Sequence, residues 1–316
     1  MYAALLDNVA LGNSSVWRNL TLTPILLRNS DLSGIEPISL EEALTAGTLE
    51  VTEVSADGRV PELRVRNAGE TPVLILDSEE LVGAKQNRIV NVTILVAPKS
   101  EIVIPVSCIE AGRWGYSRSG FAAAERVLNP DIRYRKAAAV TKNLKERRMR
   151  QSDQVEVWDG VTKALFALGA ASPTSALSDG FNSRASEIDD FLKTLKPQPE
   201  QIGVIYRIAD TLVGLDLFGS KHAFARAFPK LVRGSALQSL AGFQTDTKAQ
   251  LNDRQFLSVV LNAPGDRFPS VGLGDELRFD TSEIGGGALE FEGRLVHLFA
   301  FPSALGDKRN AARTTR

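Results

Sequence analysis

The feature that most constrains this fold is a change of hydrophobic period along the chain. Apolar and polar residues alternate through the first third, take helical spacing from about residue 118 to 198, and alternate again after residue 199. A period of two is typical of strands, and a spacing of three to four residues is typical of helices. Strands that precede and follow a block of helices predict an α+β protein with an antiparallel, strand-rich body.

The same boundaries predict how the chain is divided. We expect a β-rich body with a core hairpin over residues 1–117 and a helical insertion over 118–198. Strands and helices over 199–302 would complete the same domain. The last residues, 303–316, carry no apolar anchor, and we expect them to be disordered.

Local signals add three expectations about helices. Ser39 and Glu42 have the spacing of a capping box at a helix start. Residues 170–186, rich in Ser, have the composition of a loop. Pro229 lies inside a helical pattern, so we expect a kink or a break there.

Composition restricts the partners of the chain. The 316 residues carry a net charge of −1, which gives no bulk attraction to nucleic acid or to an anionic membrane. No run of about 18 apolar residues and no basic segment ahead of a short apolar one is present, so we expect neither a membrane span nor a secretory signal. The single cysteine fits a reducing compartment. These features predict a soluble, cytoplasmic protein.

Two adjoining apolar segments predict the core hairpin. Their inward positions would be Val90, Val92, Ile94 and Val96 on one strand and Ile102, Ile104, Val106 and Cys108 on the other. These faces meet only if the numbers of opposed residues sum to an even value, because a slip of one residue turns the wrong side chains inward. A three-residue loop, 98–100, then places Val90 opposite Cys108 and Arg88 opposite Glu110.

That register would gather charged residues at the open end of the hairpin. The candidate site comprises carboxylates, cations, an amide pair and an indole: Glu79, Glu80, Lys85, Gln86, Asn87, Arg88, Glu110, Arg113 and Trp114. Burying so many charges for structure alone would cost several kcal/mol without complete pairing. A ligand-binding cleft explains this density better, although an isolated Arg88–Glu110 pair would serve to end the sheet.

The residue types predict a role for each member. Lys85, Arg88 and Arg113 would hold phosphate, because guanidinium groups match its oxygens. Glu80 or Glu110 would act as general base if burial raises its pKa towards neutral, and Lys85 is counted with these two as catalytic. The remaining residues would bind substrate, with the indole stacked on a base or sugar: Glu79, Gln86, Asn87 and Trp114.

Four segments also resemble a known family. They are "LDSEELVGAKQNR", "IPVSCIEAGRW", "VGLDLFGS" and "FPKLVRGSALQSL". They are similar to the ARG and rhodanese-phosphatase-associated protein family of bacteria and archaea, over about Gly12 to Phe301. The resemblance implies a link to ADP-ribose or NAD metabolism. It also implies that the nine candidate site residues are motif positions, with Asp216 and Phe218 in a second motif.

Two functions from different classes are compatible with these features. The first is an enzyme, a hydrolase or transferase, or else a specific binder, that takes a phosphorylated nucleotide-like molecule such as ADP-ribose. The alternative is a non-catalytic scaffold that binds a protein partner through the helical insertion. Residues 126–150 carry nine basic and two acidic residues, which we interpret as a solvated helix face that pairs with acidic residues elsewhere. Nucleic-acid binding is disfavoured, because Tyr134 is the only aromatic residue there.

Cofactor chemistry has little support in the sequence. His222, His297 and Cys108 are too few for a typical zinc site. We expect no cofactor, with Mg²⁺ bound by oxygen ligands such as Asp77, Glu79 or Glu80 as the weaker alternative.

Three further residues are assigned structural roles. We expect Cys108 to be a small buried hydrophobic residue and His297 to be an ordinary strand residue. Asp216 would end a strand near the helix that Ser220 caps.

Overall fold

The computed structural model describes residues 2–28, 35–55, 61–113, 115, 120–242, 251–303 and 305. In these ranges the chain is an α+β protein of eighteen strands and seven α-helices. The strands are β1 (Val9–Leu11), β2 (Ser15–Trp17), β3 (Leu20–Leu27), β4 (Ile38–Ser39), β5 (Leu49–Glu53), β6 (Glu62–Asn67), β7 (Val73–Ile75), β8 (Glu79–Gly83), β9 (Arg88–Val90), β10 (Ile94–Val96), β11 (Ser100–Cys108), β12 (Phe121–Val127), β13 (Gln201–Ile208), β14 (Thr211–Phe218), β15 (Asp266–Pro269), β16 (Asp275–Asp280), β17 (Ile284–Phe291) and β18 (Arg294–Pro302). The helices are α1 (Leu40–Thr45), α2 (Pro130–Arg147), α3 (Gln154–Leu168), α4 (Leu177–Ser183), α5 (Ala185–Thr194), α6 (Lys221–Ala241) and α7 (Asp253–Asn262). The predicted disordered tail lies outside the described residues except at 303 and 305.

The largest sheet joins strands from both ends of the chain. Its order is β1-β3-β13-β14-β18-β17-β16-β15, with β2 also paired to β3, and every pairing is antiparallel. At the β13–β14 turn, Ala209 and Asp210 both have positive φ, of 46° and 61°. Two consecutive left-handed residues are what a tight two-residue hairpin requires. One face of the sheet packs against α7 and the other against α6.

The second sheet forms a half-barrel that positions the candidate site. Its order is β12-β8-β9-β11-β6-β5, and its two edge strands, β12 and β5, lie beside each other. Alternate residues of each strand face a buried interior that includes Leu63, Leu81, Val90 and Ile104. Helix α1 contributes Leu40 to the same core, and a small sheet, β10-β7-β4, continues it.

The predicted hairpin register is wrong by two residues. Val90 lies opposite Val106, and Arg88 lies opposite Cys108 rather than Glu110. The even sum is preserved because the hydrophobic pattern fixes which face points inward, whereas it does not fix the length of the connection. Strand β10 does not pair with β11 at all. It pairs with β7, and the first half of β11 pairs with β6.

A break between β9 and β10 explains that rearrangement. The side chain of Asn91 accepts a hydrogen bond from Ser107 at 2.8 Å and donates to the carbonyl of Arg150 at 2.9 Å. These bonds hold a buried bend between the two strands. Pro105 on β11 also has no N–H with which to extend a ladder. Neither constraint is visible in the alternation of apolar residues.

The helical expectations have mixed outcomes. The capping box is confirmed, since the Ser39 hydroxyl accepts from the Glu42 amide at 3.2 Å and the Glu42 carboxylate accepts from the Ser39 amide at 2.7 Å. The loop prediction for 170–186 is wrong, because Leu177 and Phe181 are buried at helical spacing and form α4. Tertiary burial overrides the weak helix propensity of that segment. Helix α6 continues unbroken through Pro229.

Candidate functional site

The half-barrel divides the predicted cluster between two faces of one sheet. Leu81 pairs with Arg88 and Glu80 pairs with Ile89. Directly opposed residues share a face and successive residues alternate. Arg88 therefore lies on the interior face, as does Glu79, whereas Glu80 lies on the outer face beneath the helices.

Glu80 has a structural partner on that outer face. Its Oε2 accepts from Arg126 Nε at 2.6 Å, and the Arg126 guanidinium lies 4.6 Å from the centroid of the Phe181 ring. The other oxygen, Oε1, is shielded from solvent and has no hydrogen-bond partner in the described part of the chain. Glu80 is thus separated by the sheet from the arginine with which the sequence grouped it.

The remaining residues meet in what we call the Arg88 cluster: Gln86, Asn87, Arg88, Glu110 and Arg113. Arg113 donates to Glu110 Oε2 through Nε at 2.9 Å and through Nη2 at 2.7 Å. Thr174 donates to Glu110 Oε1 at 2.8 Å, and the Asn87 amide donates to Oε2 at 3.2 Å. Burial works to raise the pKa of Glu110, but these donors outweigh it and lower the pKa. Glu110 therefore lacks the raised pKa that a role as general base was expected to require.

Two neighbouring amide side chains orient the two arginines of the cluster. Arg88 Nη1 donates to Gln86 Oε1 at 2.8 Å, and Arg113 Nη2 donates to Asn87 Oδ1 at 3.0 Å. Arg88 is completely buried. Burial lowers the pKa of Arg88, Cys108 and Glu53 oppose that effect, and the positive charge of Arg113 lowers it further. Two guanidinium groups are thus held near enough to repel each other.

Lys85 belongs to the rim of the Arg88 cluster. Lys85 lies half-buried in the turn between β8 and β9, and its carbonyl accepts from the Gly115 amide at 3.1 Å. Trp114 lies outside the described residues. The structure therefore brings Lys85 to the cluster by its backbone and leaves the place of the indole undescribed.

The sequence analysis missed one interior charge, Glu53. Val51 pairs with Val65 and Glu53 pairs with Leu63, so Glu53 continues the inward face of β5. Both of its carboxylate oxygens are shielded from solvent and have no hydrogen-bond partner among the described residues. The alternation Leu49, Val51, Glu53 was the available signal, because it carries a carboxylate into a series of core positions.

A second charged group lies near the other end of β8. The ammonium of Lys230 binds Glu79 Oε1 and lies 2.5 Å from Glu41 Oε2. The Leu76 amide also donates to Glu79 Oε2 at 2.9 Å. Burial raises the pKa of Glu79 to about 8, with Lys230 opposing and Glu41 adding to the rise, whereas the net effect on Glu41 is a lowered pKa. Glu79 was predicted only to bind substrate. It nevertheless has the near-neutral pKa that was expected of a general base at Glu80 or Glu110.

A narrow cleft reaches this second group. It lies between the start of α1 and α6, and its lining includes Ile38, Leu74, Leu76, Ala227 and Lys230. Most of the lining is apolar, and Lys230 is the member of the charged group that the cleft reaches.

A third charged group, the central network, is fully enclosed. It comprises Asp77, Arg133, Lys136, Asp216 and His297, each no more than 2% exposed. Arg133 forms a bidentate pair with Asp216 at 2.9 and 2.8 Å, and Lys136 binds Asp77 at 2.5 Å. The prediction that Asp216 ends a strand near the Ser220 cap is wrong, because it lies inside β14 and pairs with α2.

His297 is likewise more than an ordinary strand residue. Its Nδ1 lies 2.9 Å from the Thr93 hydroxyl, and its Nε2 lies 3.1 Å from Asp216 Oδ1. The Asp77 amide donates to the same hydroxyl at 3.2 Å. Because the ionised Asp216 carboxylate can only accept, His297 Nε2 carries a proton directed at it. The predicted burial of Cys108 is confirmed.

The basic segment 126–150 pairs with acidic residues, as predicted, but it is not simply a solvated face. Its buried members Arg133 and Lys136 belong to the central network. Lys145 lies 2.9 Å from Asp266 on the surface. Part of the positive charge of this segment is thus paired with carboxylates of the protein itself, both inside and at the surface.

The described part of the chain contains neither a metal-binding cluster nor a membrane-spanning helix. In the described ranges no group of three or more His, Cys, Asp or Glu side chains could hold a metal ion. Among the helices described, none has the length and apolar character needed to cross a membrane.

Comparison with known proteins places the whole arrangement in one family. The family model described as the ARG and Rhodanese-Phosphatase-superfamily-associated Protein domain matches residues 8–301. No curated protein and no solved structure matches the chain. The match covers both large sheets and the Arg88 cluster, so the sequence resemblance is confirmed. The chain belongs to the ARG and Rhodanese-Phosphatase-superfamily-associated Protein domain family.

Proposed function

We propose that this protein is an enzyme or a specific binder that acts on a phosphorylated, nucleotide-like small molecule, with ADP-ribose as the type of ligand. The observation that carries the proposal is the pair of guanidinium groups, Arg88 and Arg113, which adjacent amide side chains orient at one end of the half-barrel. The implied link of the family to ADP-ribose or NAD metabolism supports this choice of ligand.

The charge balance of the site favours an anion. Among the residues that the structure describes, three cations, Lys85, Arg88 and Arg113, stand against two carboxylates, Glu53 and Glu110, which leaves one positive charge. An oxyanion near the two guanidinium groups would relieve their repulsion by its charge, rather than by new bonds to Arg113, whose five N–H groups already donate within the protein. Arginine forks match two oxygens of one phosphate, and this geometry distinguishes phosphate from simple halide ions.

Glu110 has a positioning role in this proposal. Its four contacts leave the carboxylate ionised and fix Arg113 in place. Trp114 follows Arg113 directly in the sequence and would stack on a base or sugar. If the protein is catalytic, we propose hydrolysis or group transfer on the nucleotide. Lys85 and Glu80 remain proposed catalytic residues, and the Glu80 oxygen without a described partner is the atom that would accept a proton.

Thermal shift and calorimetric titration with ADP-ribose, NAD, AMP and cyclic ADP-ribose test the proposal. We expect at least one ligand to bind the wild type. Arg113→Lys should weaken it by about ten- to hundredfold, the equivalent of one charge-assisted hydrogen bond. Arg64→Lys is the matched control, because Arg64 forms an exposed pair with Glu101 on the outer face of β6. Absence of binding by all four ligands would overturn the proposal.

A second candidate function is docking of a protein partner through the helical insertion. One observation favours it: on α3, Phe166 is 87% exposed and Val155 is 73% exposed. Large apolar side chains at this exposure are typical of contact surfaces when they lie on one helix face. Phe166→Ser should abolish a pathway-enzyme complex in co-purification without changing nucleotide binding. A complex that persists in this variant would exclude α3 as the docking surface.

A further inference from the structure

We infer that Glu53 is the second half of the ligand site and that its carboxylate binds hydroxyl groups of the ligand, a vicinal diol such as that of a ribose. This inference deepens the proposed function and rests on it. Arg88 would take the phosphate oxygens while Glu53 takes the sugar, so the substrate class is a phosphorylated sugar or ribonucleotide rather than a bare phosphate.

Register places Glu53 and Arg88 in the same enclosed space. Glu53 pairs with Leu63, which pairs with Ile104 on β11, and Arg88 pairs with Cys108 further along β11. Ile104 and Cys108 are four residues apart on one strand, so both face the interior. The edges of the half-barrel, β5 and β12, lie beside each other and bring Glu53 towards the Arg88 side of the space.

Glu53 is near the guanidinium without touching it. The negative charge of Glu53 acts to raise the pKa of both Arg88 and Cys108, against the lowering that burial causes in Arg88. Glu53 nevertheless makes no hydrogen bond to any residue that the structure describes, and no ion pair within 4.0 Å joins it to Arg88. The carboxylate and the guanidinium therefore influence each other through space without a direct contact between them.

The chemistry of the two groups defines which kind of ligand could bind both of them. A shielded carboxylate without a donor is less stable than one that is hydrated or hydrogen-bonded. An ionised carboxylate only accepts hydrogen bonds, and a guanidinium only donates them. The occupant must therefore present O–H or N–H donors to Glu53 and acceptor oxygens to Arg88. A sugar phosphate carries both within one small molecule, and carboxylates bind ribose hydroxyls in this way in other nucleotide sites.

The inference is tested by titration calorimetry with three probes: 5′-AMP, its 2′,3′-dideoxy analogue and inorganic pyrophosphate. We expect the wild type to bind AMP about tenfold more tightly than the dideoxy analogue, the equivalent of about one hydrogen bond to a charged group. Glu53→Gln should remove that difference and leave pyrophosphate affinity within about twofold. Glu50→Gln is the matched control, because Glu50 is exposed on the outer face of the same strand.

The outcomes separate this inference from the proposed function. If Glu53→Gln weakens AMP and dideoxy-AMP equally, or neither, the role of Glu53 is overturned and the phosphate site stands. If neither AMP nor pyrophosphate nor ADP-ribose binds the wild type, the proposed function and this inference both fail. Glu53→Asp keeps the charge and withdraws the oxygens by one methylene. It should also lose the diol preference, so it serves if the glutamine variant does not fold.

Discussion

The central network and the Arg88 cluster bury similar charges in different ways. In the central network, Asp216 accepts from Arg133 at two positions, from Tyr206 at 3.0 Å and from His297. Near the Arg88 cluster, Glu53 is shielded from solvent yet accepts no bond from the residues that the structure describes. Every carboxylate oxygen of Asp77 and Asp216 accepts a hydrogen bond, although Arg133 Nε makes none, whereas both oxygens of Glu53 lack a donor among the described residues.

This difference distinguishes charges that serve structure from charges that serve a ligand. A buried polar network whose members are all satisfied rigidifies a core and fixes how its elements pack. The central network satisfies its carboxylate oxygens and joins α2 to the largest sheet and to the turn that follows β7. A buried group without a partner calls for an explanation, and a ligand is one that the excess of cations supports.

The Glu41–Lys230–Glu79 group lies between these extremes. One ammonium group, that of Lys230, binds two carboxylates. The group therefore has a net charge of −1 unless one of the two carboxyls is protonated. The raised pKa of Glu79 and the lowered pKa of Glu41 show which carboxyl keeps it. Neighbouring acids whose pKa values are driven apart take opposite protonation states near neutral pH.

The largest effect should come from breaking the central network with Asp216→Asn. Burial works to raise the pKa of Asp216, but Arg133 and His297 lower it to about 2, so the native carboxyl is ionised at neutral pH. The amide would leave the Arg133 charge buried without its partner, and we expect the free energy of unfolding to fall by about 3–5 kcal/mol. Urea denaturation at pH 7 measures this change. A loss below about 1 kcal/mol would contradict a structural role for the pair.

An intermediate effect should appear as a pH dependence in Glu79→Gln. The pKa of Glu79 rises from 4.5 to about 8 on folding. Between these values the folded state holds a proton that the unfolded state has released, so the free energy of unfolding should fall as pH rises through this window. Above the folded pKa it should level off. The variant should remove a slope of about one proton in urea titrations from pH 5 to 8. Equal slopes in the two proteins would show that Glu79 does not carry the proton.

The smallest effect should come from Glu53→Gln, the isosteric counterpart of Asp216→Asn. Glu53 has no described donor to lose, and neutralising it removes the cost of a shielded charge. We expect its free energy of unfolding to stay within about 1 kcal/mol of the wild type, with any change in the stabilising direction. The same urea experiment compares the two variants directly. A loss as large as that of Asp216→Asn would show that both regions are structural.

Much of the fold could be predicted because burial follows local pattern. Alternation identified many of the strands, including β3, β6, β13 and β14, and the Ser39 capping box and the face parity of Val90 and Val106 were correct. It missed β12, which lies inside the segment 118–198 that was expected to be helical. The predicted pairing of Arg88 with Glu110 was wrong. The side-chain hydrogen bonds of Asn91 and the missing N–H of Pro105 divide the expected hairpin between two sheets. Such bonds join residues distant in sequence and leave no periodic signal.

The candidate site shows the same limit. The sequence placed Gln86, Asn87 and Arg113 near Arg88, since they adjoin the same strands. It could not separate Glu80 from them, because the face of a residue at a strand end depends on where pairing begins. Nor did it find Glu53, which is far from Arg88 along the chain and reaches it only through the curvature of the half-barrel.

The sequence by itself determined the α+β class, the strand faces and the family of this protein. Those properties depend on side chains within a few residues of one another, whose spacing the chain fixes directly. Only the tertiary structure decided which charges are neutralised by partners and which are not. Electrostatic pairing acts through space and depends on burial. Lys230 can therefore bind Glu79, 151 residues away in the sequence, while Glu53 remains without a described partner.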